Sequence, residues 1–518
     1  MGSQNYLKLA LDAYQKRSFQ QAEHWLSEAL RVSPDSPELH AWQCEVLRSQ
    51  GRLQDAQLAA GRALRLDPDH ADALYNLAVV LLAAGREVDA LARLEALVAA
   101  HPAHAPGLHN LGVLLERRGQ ARRALACYEA AIATGRAVPA TQASLAALLV
   151  ELGDHDRARQ LYAARLTNNP DDVEAHFAYS RLTRYQPGME QLASLEALAA
   201  KRDLLPWQAA AKVGFALGKA RQDVGEHQAA LQAFVSANDL HYRHRPYAEG
   251  ANHALLEDVM QTINASLLAR LTVDEKSALR PVFILGMPRS GSTLLEQMLL
   301  AHGDFASGGE LKHLKAVIQS HLVRDRGTIG RAAGVWTGQD FRAAASDYIG
   351  RLAGHGYGKS LVIDKMPGNF AFIGLIAALF PNAIILHTIR HPLAVMWSAY
   401  STHFADGLHY TYEIGTLARF HSRYRQVMGH WEQVLPRGRI IPVVYEKLVA
   451  EPELVLRGLM ERLGLPWRPT MLEFHRGSHP VRTASVAQVR QPLHGAAVDL
   501  WRHYEHFLAP YARGAGLA

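Results

Sequence analysis

Cysteine is nearly absent: the 518 residues contain two, Cys44 and Cys127. A disulfide framework and a cysteine-based zinc site are thereby excluded. Both thiols fall in helix-patterned segments, where a small apolar residue is sufficient reason for them. No run of about 18 apolar residues occurs, so no segment is expected to span a bilayer. Met1 to Gln15 has a polar or charged residue every few positions and lacks the apolar core of a secretory leader. These absences point to the cytoplasm. Charge of one sign is not abundant either. A net +6 gives a mild bias toward anionic partners, and no nucleic-acid partner is expected. With 49% hydrophobic and 20% charged residues, the chain has the material for folded cores and no long disordered tract. Its length calls for more than one domain.

What the chain does have is a period. Pro34, Pro68, Pro102 and Pro170 lie on a 34-residue grid, with Arg136 at the one missing step. A second register carries Ala22, Ala56, Ala90, Ala124 and Ala158, and a third carries Gly51, Gly85, Gly119 and Gly153. Glycine permits the tight turn within each helical pair, alanine lets two backbones approach, and proline halts the second helix. The pattern resembles the tetratricopeptide repeat and predicts an α-solenoid over 1–172. A helical connector follows over 173–280, off the grid through residue 206. A further copy of the repeat occurs at about 211–244, marked by Leu217-Gly218, Gly225, Ala230 and Ala237. Stacked repeats present an extended concave surface, which suits a protein or peptide partner or serves as a scaffold alone.

After residue 280 the pattern changes to short apolar runs alternating with helices. Strands are predicted at Val282–Leu285, Leu361–Ile363, Ala383–His387 and Ile440–Val444. Helices are predicted at Ser292–Leu300, Asn369–Phe380, Leu393–Ser401 and Glu453–Leu463. Such alternation implies a parallel sheet in an α/β domain over 281–518. The segment from Pro281 to Leu295 runs a buried strand into a glycine turn that opens a helix, which makes a cradle for an anion. Gly286 and Gly291 have the Walker spacing, but Ser292 stands where a nucleotide kinase requires lysine.

Arg289, Ser290, Gly291, Ser292 and Thr293 resemble the 5′-phosphosulfate loop of the sulfotransferases, in the form found in protein-tyrosine sulfotransferases and their bacterial relatives. Arg390 and Ser398, eight residues apart, resemble the pair that holds the 3′-phosphate of 3′-phosphoadenosine 5′-phosphosulfate (PAPS) in that family. The resemblance spans about 281–510 and implies a P-loop-like fold with PAPS as co-substrate. It further implies Glu310 as the catalytic base, Lys365 beside the transferring group and Tyr445 near the nucleotide. Ser485 and Arg490 would lie in a loop closing over the 3′-phosphate, although the basic residue in Gln488-Val-Arg-Gln-Pro is displaced by one position from the animal pattern.

The chemistry implied is transfer of a sulfuryl group to an acceptor hydroxyl, with a tyrosine of a peptide or protein one candidate. Glu310 would take the hydroxyl proton while Arg289 and Lys365 stabilise charge on the leaving oxygen; no metal is required. His302 and His313 are the rival bases. Two segments, 321–358 and 403–438, match nothing that would name the acceptor. A nucleotide kinase and a non-catalytic repeat scaffold remain the alternatives.

Overall fold

The computed structural model describes residues 2–273, 277–356, 358–404, 407–477, 483, 489–493 and 495–517. It divides into two compact units, Met1–Leu161 and Tyr162–Ala518.

The first unit is a row of helical pairs: Ser3–Gln15 with Phe19–Val32, Pro37–Ser49 with Leu53–Leu66, Ala71–Ala83 with Glu87–Ala100, and Ala105–Arg117 with Ala121–Ala133. The alanine register does what its size allows, since Ala22, Ala56, Ala90 and Ala124 are all completely buried. Gly112 shows how close the helices come, because a Cβ there would sit 2.5 Å from the Tyr128 ring. The turn glycines Gly51 and Gly85 have φ of +78° and +74°. One repeat earlier on that register Arg17 holds the same left-handed turn at φ +58°, a conformation that costs an L residue about 1–2 kcal/mol. Neighbouring repeats are joined across the surface by Arg52–Glu23, Arg123–Glu95 and Arg157–Glu129 ion pairs, which contribute little individually.

The second unit is built on a five-stranded parallel sheet in the order β2-β3-β1-β4-β5. The strands are β1 (Arg280–Gly286), β2 (Phe305–Ser307), β3 (Leu361–Asp364), β4 (Ile384–Ile389) and β5 (Ile441–Val444). Central β1 is buried from Pro281 onward, as near-continuous apolar runs require when both faces of a parallel sheet are covered. Val282 lies opposite Ile363 of β3 and Ile384 of β4. The four expected strands are present and β2 is additional. The expected helix over Asn369–Phe380 is instead a 3-10 turn, Pro367–Phe372, followed by an α-helix, Ile373–Leu379. The Trp431 indole donates to the Phe370 carbonyl at 2.8 Å and so takes an acceptor that a regular helix would have used.

Helices between residues 173 and 271 belong to this second unit. Trp207–Asp223 and His227–His244 form a repeat-like hairpin whose Phe215 and Phe234 join the core of the sheet domain. The Phe234 ring meets Trp397 edge-on at 5.5 Å, Asn238 donates to the Tyr400 carbonyl, and Trp397 donates to Gln222. Tyr504, near the end of the domain, stacks on Trp397 at 3.5 Å.

Candidate functional site

The sheet order changes direction at β1, whose neighbours β3 and β4 lead to opposite edges. In open α/β sheets a ligand crevice forms at the carboxyl ends of the strands on either side of such a point. The loop Met287–Gly291 and the helix Ser292–His302 leave β1 at that edge.

The shape of the loop is set by its own hydroxyls and glycines. Ser290 is buried, and its hydroxyl donates to the Met287 carbonyl at 2.6 Å and pairs with Thr388 Oγ1 at 2.7 Å. Thr388, on β4, bonds in turn to the Leu285 carbonyl. The Ser290 side chain therefore ties the loop to the sheet. Gly291 has φ +100°, and a Cβ there would lie 2.5 Å from Tyr445 Cδ2. Gly286, at φ +144°, leaves only 2.6 Å between a Cβ and the Thr388 carbonyl. Arg289 also has a positive φ, +69°, without being glycine. A non-glycine residue held in this region inside a compact loop marks strain of the kind that concentrates at functional sites.

The loop meets the end of β4 directly. Arg289 Nε donates to Ser398 Oγ at 2.9 Å, and Arg390 Nη1 donates to the Arg289 carbonyl at 3.0 Å. Arg390 also reaches the Ala497 carbonyl and lies over the Tyr445 ring at 4.4 Å. Its Nε is buried with no partner among the described residues. Burial and the neighbouring Arg390 push Arg289 down to about 10, and burial likewise lowers Arg390. Two cations held this close call for an anion. Thr293 Oγ1 lies 3.3 Å from Thr483 Oγ1, and Ser292, also buried, opens the helix.

A second cluster forms beside the first. Lys365 follows β3 and is fully buried; its Nζ donates to Glu310 Oε1 at 2.7 Å, where the Glu310 side chain is about half exposed. The hairpin of backbone that delivers Glu310 is pinned to β3 by Gly308 N–H to the Ile363 carbonyl and Lys365 N–H to the Gly309 carbonyl. Glu296, on the helix after the loop, lies 3.9 Å from the same ammonium. Neighbouring Asp364 is buried, accepts from the Tyr348 hydroxyl at 2.8 Å, and is pushed up to about 7 by that burial.

Most of the residues singled out from the sequence thus gather at one sheet edge. Arg289 to Thr293, Arg390, Ser398 and Tyr445 make one group, and Glu310 with Lys365 makes the other. Arg490 donates to the Gly477 carbonyl, and Ser485 lies outside the described residues. Of the rival bases, His302 is buried with Nε2 on the Pro466 carbonyl, and His313 faces His355. Sequence reading passed over Thr388, Glu296 and Asp364. A lone threonine in a strand or glutamate in a helix carries no signal of its own, and Asp364 had only its place beside Lys365. Among the described residues no group of three or more His, Cys, Asp or Glu side chains is arranged to hold a metal ion, and no helix is long and apolar enough to cross a membrane. A separate pocket lies at the amino-terminal sheet edge around Leu279, Ser360 and Asn382, with none of the groups described above.

Residues 281–469 match the sulfotransferase family, and residues 7–56, 47–111 and 139–182 match tetratricopeptide repeat families. An uncharacterised protein of Aquifex aeolicus (strain VF5) is 30% identical over 336 residues, 63% of this chain and 44% of that protein. A protein-tyrosine sulfotransferase of Drosophila melanogaster is 28% identical over 242 residues, 42% of this chain and 46% of the fly protein. The chain therefore spans under half the length of these two relatives. Among solved structures, the sulfotransferase domain of the Synechococcus PCC 7002 olefin synthase is 22% identical, with a TM-score of 0.34 over 47% of this chain and 97% of that domain.

Proposed function

We propose that this sulfotransferase-family domain, carried behind a tetratricopeptide array, moves the sulfuryl group of PAPS to an acceptor hydroxyl. The observation that carries the reading is the convergence of two basic and hydroxyl segments 109 residues apart, sealed by the Arg289–Ser398 and Arg390–Arg289 bonds. The donor set fits a doubly anionic nucleotide. Arg289 and Arg390 supply charge, the glycine loop at the start of the Ser292–His302 helix supplies backbone N–H groups, and the buried Arg390 Nε is a donor in want of an acceptor.

PAPS supplies a sulfuryl group already activated on a phosphate oxygen. The remaining work is positioning and charge stabilisation. Ser292, Thr293 and the loop N–H groups hold the 5′-phosphate side, while Arg390 with Ser398 holds the 3′-phosphate side. Tyr445 packs under the Arg390 guanidinium and against Gly291. Half-exposed Glu310 takes the acceptor proton at a carboxylate oxygen, and Lys365 and Arg289 face the negative charge that builds on the departing oxygen. The names of curated relatives favour a tyrosine of a peptide as acceptor. The repeats recruit that acceptor or a separate protein partner.

Calorimetric titration with 3′-phosphoadenosine 5′-phosphate and with ATP tests the reading. The first ligand should bind, and the Arg390→Ala variant should weaken it by roughly tenfold or more, as expected for a charge-assisted phosphate contact. Tight ATP binding indifferent to Arg390 would remove the sulfotransferase assignment. Glu310→Gln should then abolish turnover and spare nucleotide binding.

A further inference from the structure

Glu296 takes no part in the scheme above, yet its carboxylate is buried within the site. It is 4% exposed and lies on the first helix after the proposed phosphate loop, a helix that packs against β2. Ser307, at the end of β2, donates to Glu296 Oε1 at 2.5 Å. The other oxygen, Oε2, is 3.9 Å from Lys365 Nζ. Lys365, itself fully buried, thus has two carboxylates within reach, a half-exposed one at 2.7 Å and a buried one at 3.9 Å. A buried carboxylate without a counter-charge would be neutral, and a buried ammonium without one would give up its proton.

We infer that Glu296 is a positioning residue of the transfer site: it stays ionised as the permanent counter-ion of Lys365, so that Glu310 is free to leave the ammonium and serve the acceptor. The inference rests on the roles proposed above for Glu310 and Lys365. When Glu310 takes the acceptor proton it loses its charge, and with it the attraction that holds Lys365. With Glu296 ionised, the cluster passes from two anions and one cation to one of each. The ammonium then keeps a partner at the moment its charge is needed. Were Glu296 neutral, protonation of Glu310 would leave a buried cation alone. Burial pushes the Glu296 carboxyl up, while Lys365 and the Ser307 hydroxyl pull it back and Glu310 adds a further upward push. The other titratable groups close by are Asp364, bonded to Tyr348, and Tyr348 itself. The 3-10 segment Pro469–Arg476 also packs on the Glu296 helix, but its Glu473 and Arg476 pair with each other.

The test is Glu296→Gln in the full chain, with two readouts. The infrared difference spectrum between native protein and variant at pH 7, without ligands, should show the loss of an ionised carboxylate band. Loss of a protonated carboxyl band instead would overturn the inference. The second readout is the pH profile of turnover, measured with PAPS and N-acetyltyrosine amide. Withdrawing a negative charge makes every group left in the cluster release its proton more readily, so both limbs should move to lower pH by about one unit. Affinity for 3′-phosphoadenosine 5′-phosphate should stay within about twofold. Unmoved limbs would sink the inference while leaving Glu310 as base, whereas full turnover in Glu310→Gln would sink the reading on which it rests. Should the Gln variant not fold, Glu296→Asp keeps the charge but withdraws it by one methylene. The same limbs should then move by less, and an unchanged profile overturns the proposal.

Discussion

Replacing Gly291 by alanine separates the demands of backbone and ligand at the proposed phosphate loop. The residue has φ +100°, where a Cβ costs about 1–2 kcal/mol, and the new methyl would stand 2.5 Å from Tyr445 Cδ2. That ring cannot yield freely, because it lies 4.4 Å beneath the Arg390 guanidinium. The strain is therefore relieved by shifting either the loop or Tyr445, and each shift disturbs the proposed nucleotide site. A displacement worth about 1.4 kcal/mol weakens binding tenfold, so a loss of about ten- to thirtyfold in affinity for 3′-phosphoadenosine 5′-phosphate is expected by calorimetry. Gly303→Ala provides the control. It has a similar φ of +91°, but its Cβ would meet nothing closer than an Arg468 nitrogen at 3.4 Å, at the far end of the same helix. Both variants should lower the thermal midpoint, and Gly291→Ala alone should lose affinity. Unchanged affinity in Gly291→Ala, or equal losses in both variants, would refute the placement of the nucleotide against this loop.

Arg17→Gly should stabilise the repeat array by about 1 kcal/mol in denaturant unfolding, since it removes a side chain from a left-handed turn. Gly112→Ala should destabilise the same unit by about 1–3 kcal/mol through collision with Tyr128. Phe234→Ala, although outside the family-matching residues, should destabilise the sheet domain by about 3–5 kcal/mol, because its buried ring packs on Trp397. His241, His387, His403 and His421 are each held down at about 4 by burial. The unfolded chain, with histidines near 6.5, binds more protons between those values. The stability these neutral side chains provide is present above about pH 6.5 and is lost as pH falls toward 4. A flat thermal midpoint across that interval would contradict it.

How far the sequence could be read follows from where each signal comes from. Repetition makes the array legible, because a 34-residue period written three times over in Pro, Ala and Gly leaves little else to infer. The loop after β1 is legible because its signal is local: strand, glycine, basic and hydroxyl residues arrive within one stretch of chain. Arg390 and Ser398 depended on family resemblance, since nothing in their own segment says that they meet Arg289. Glu296 and Thr388 were invisible for a different reason. Each acquires its role only from a partner on another strand or loop, Lys365 for one and Ser290 for the other. The three-residue β2 is too short to show alternation, and the connector hairpin reads as another repeat although its apolar face is buried in the sheet domain.

The packing of Trp397 against both Phe234 and Tyr504 has a consequence for biosynthesis. His227, in the hairpin, bonds to the hydroxyl of Tyr504, which is translated 277 residues later. At roughly 5–20 residues per second, that is an interval of about 14–55 s during which the hairpin has been made and its final neighbour has not. Each tetratricopeptide pair can close on the preceding one as it leaves the ribosome, whereas the sheet domain cannot complete its packing until Tyr504 has been made. The nascent chain thus displays a finished array ahead of an unfinished sheet domain, with an oily hairpin between them that needs shielding until the last helices arrive.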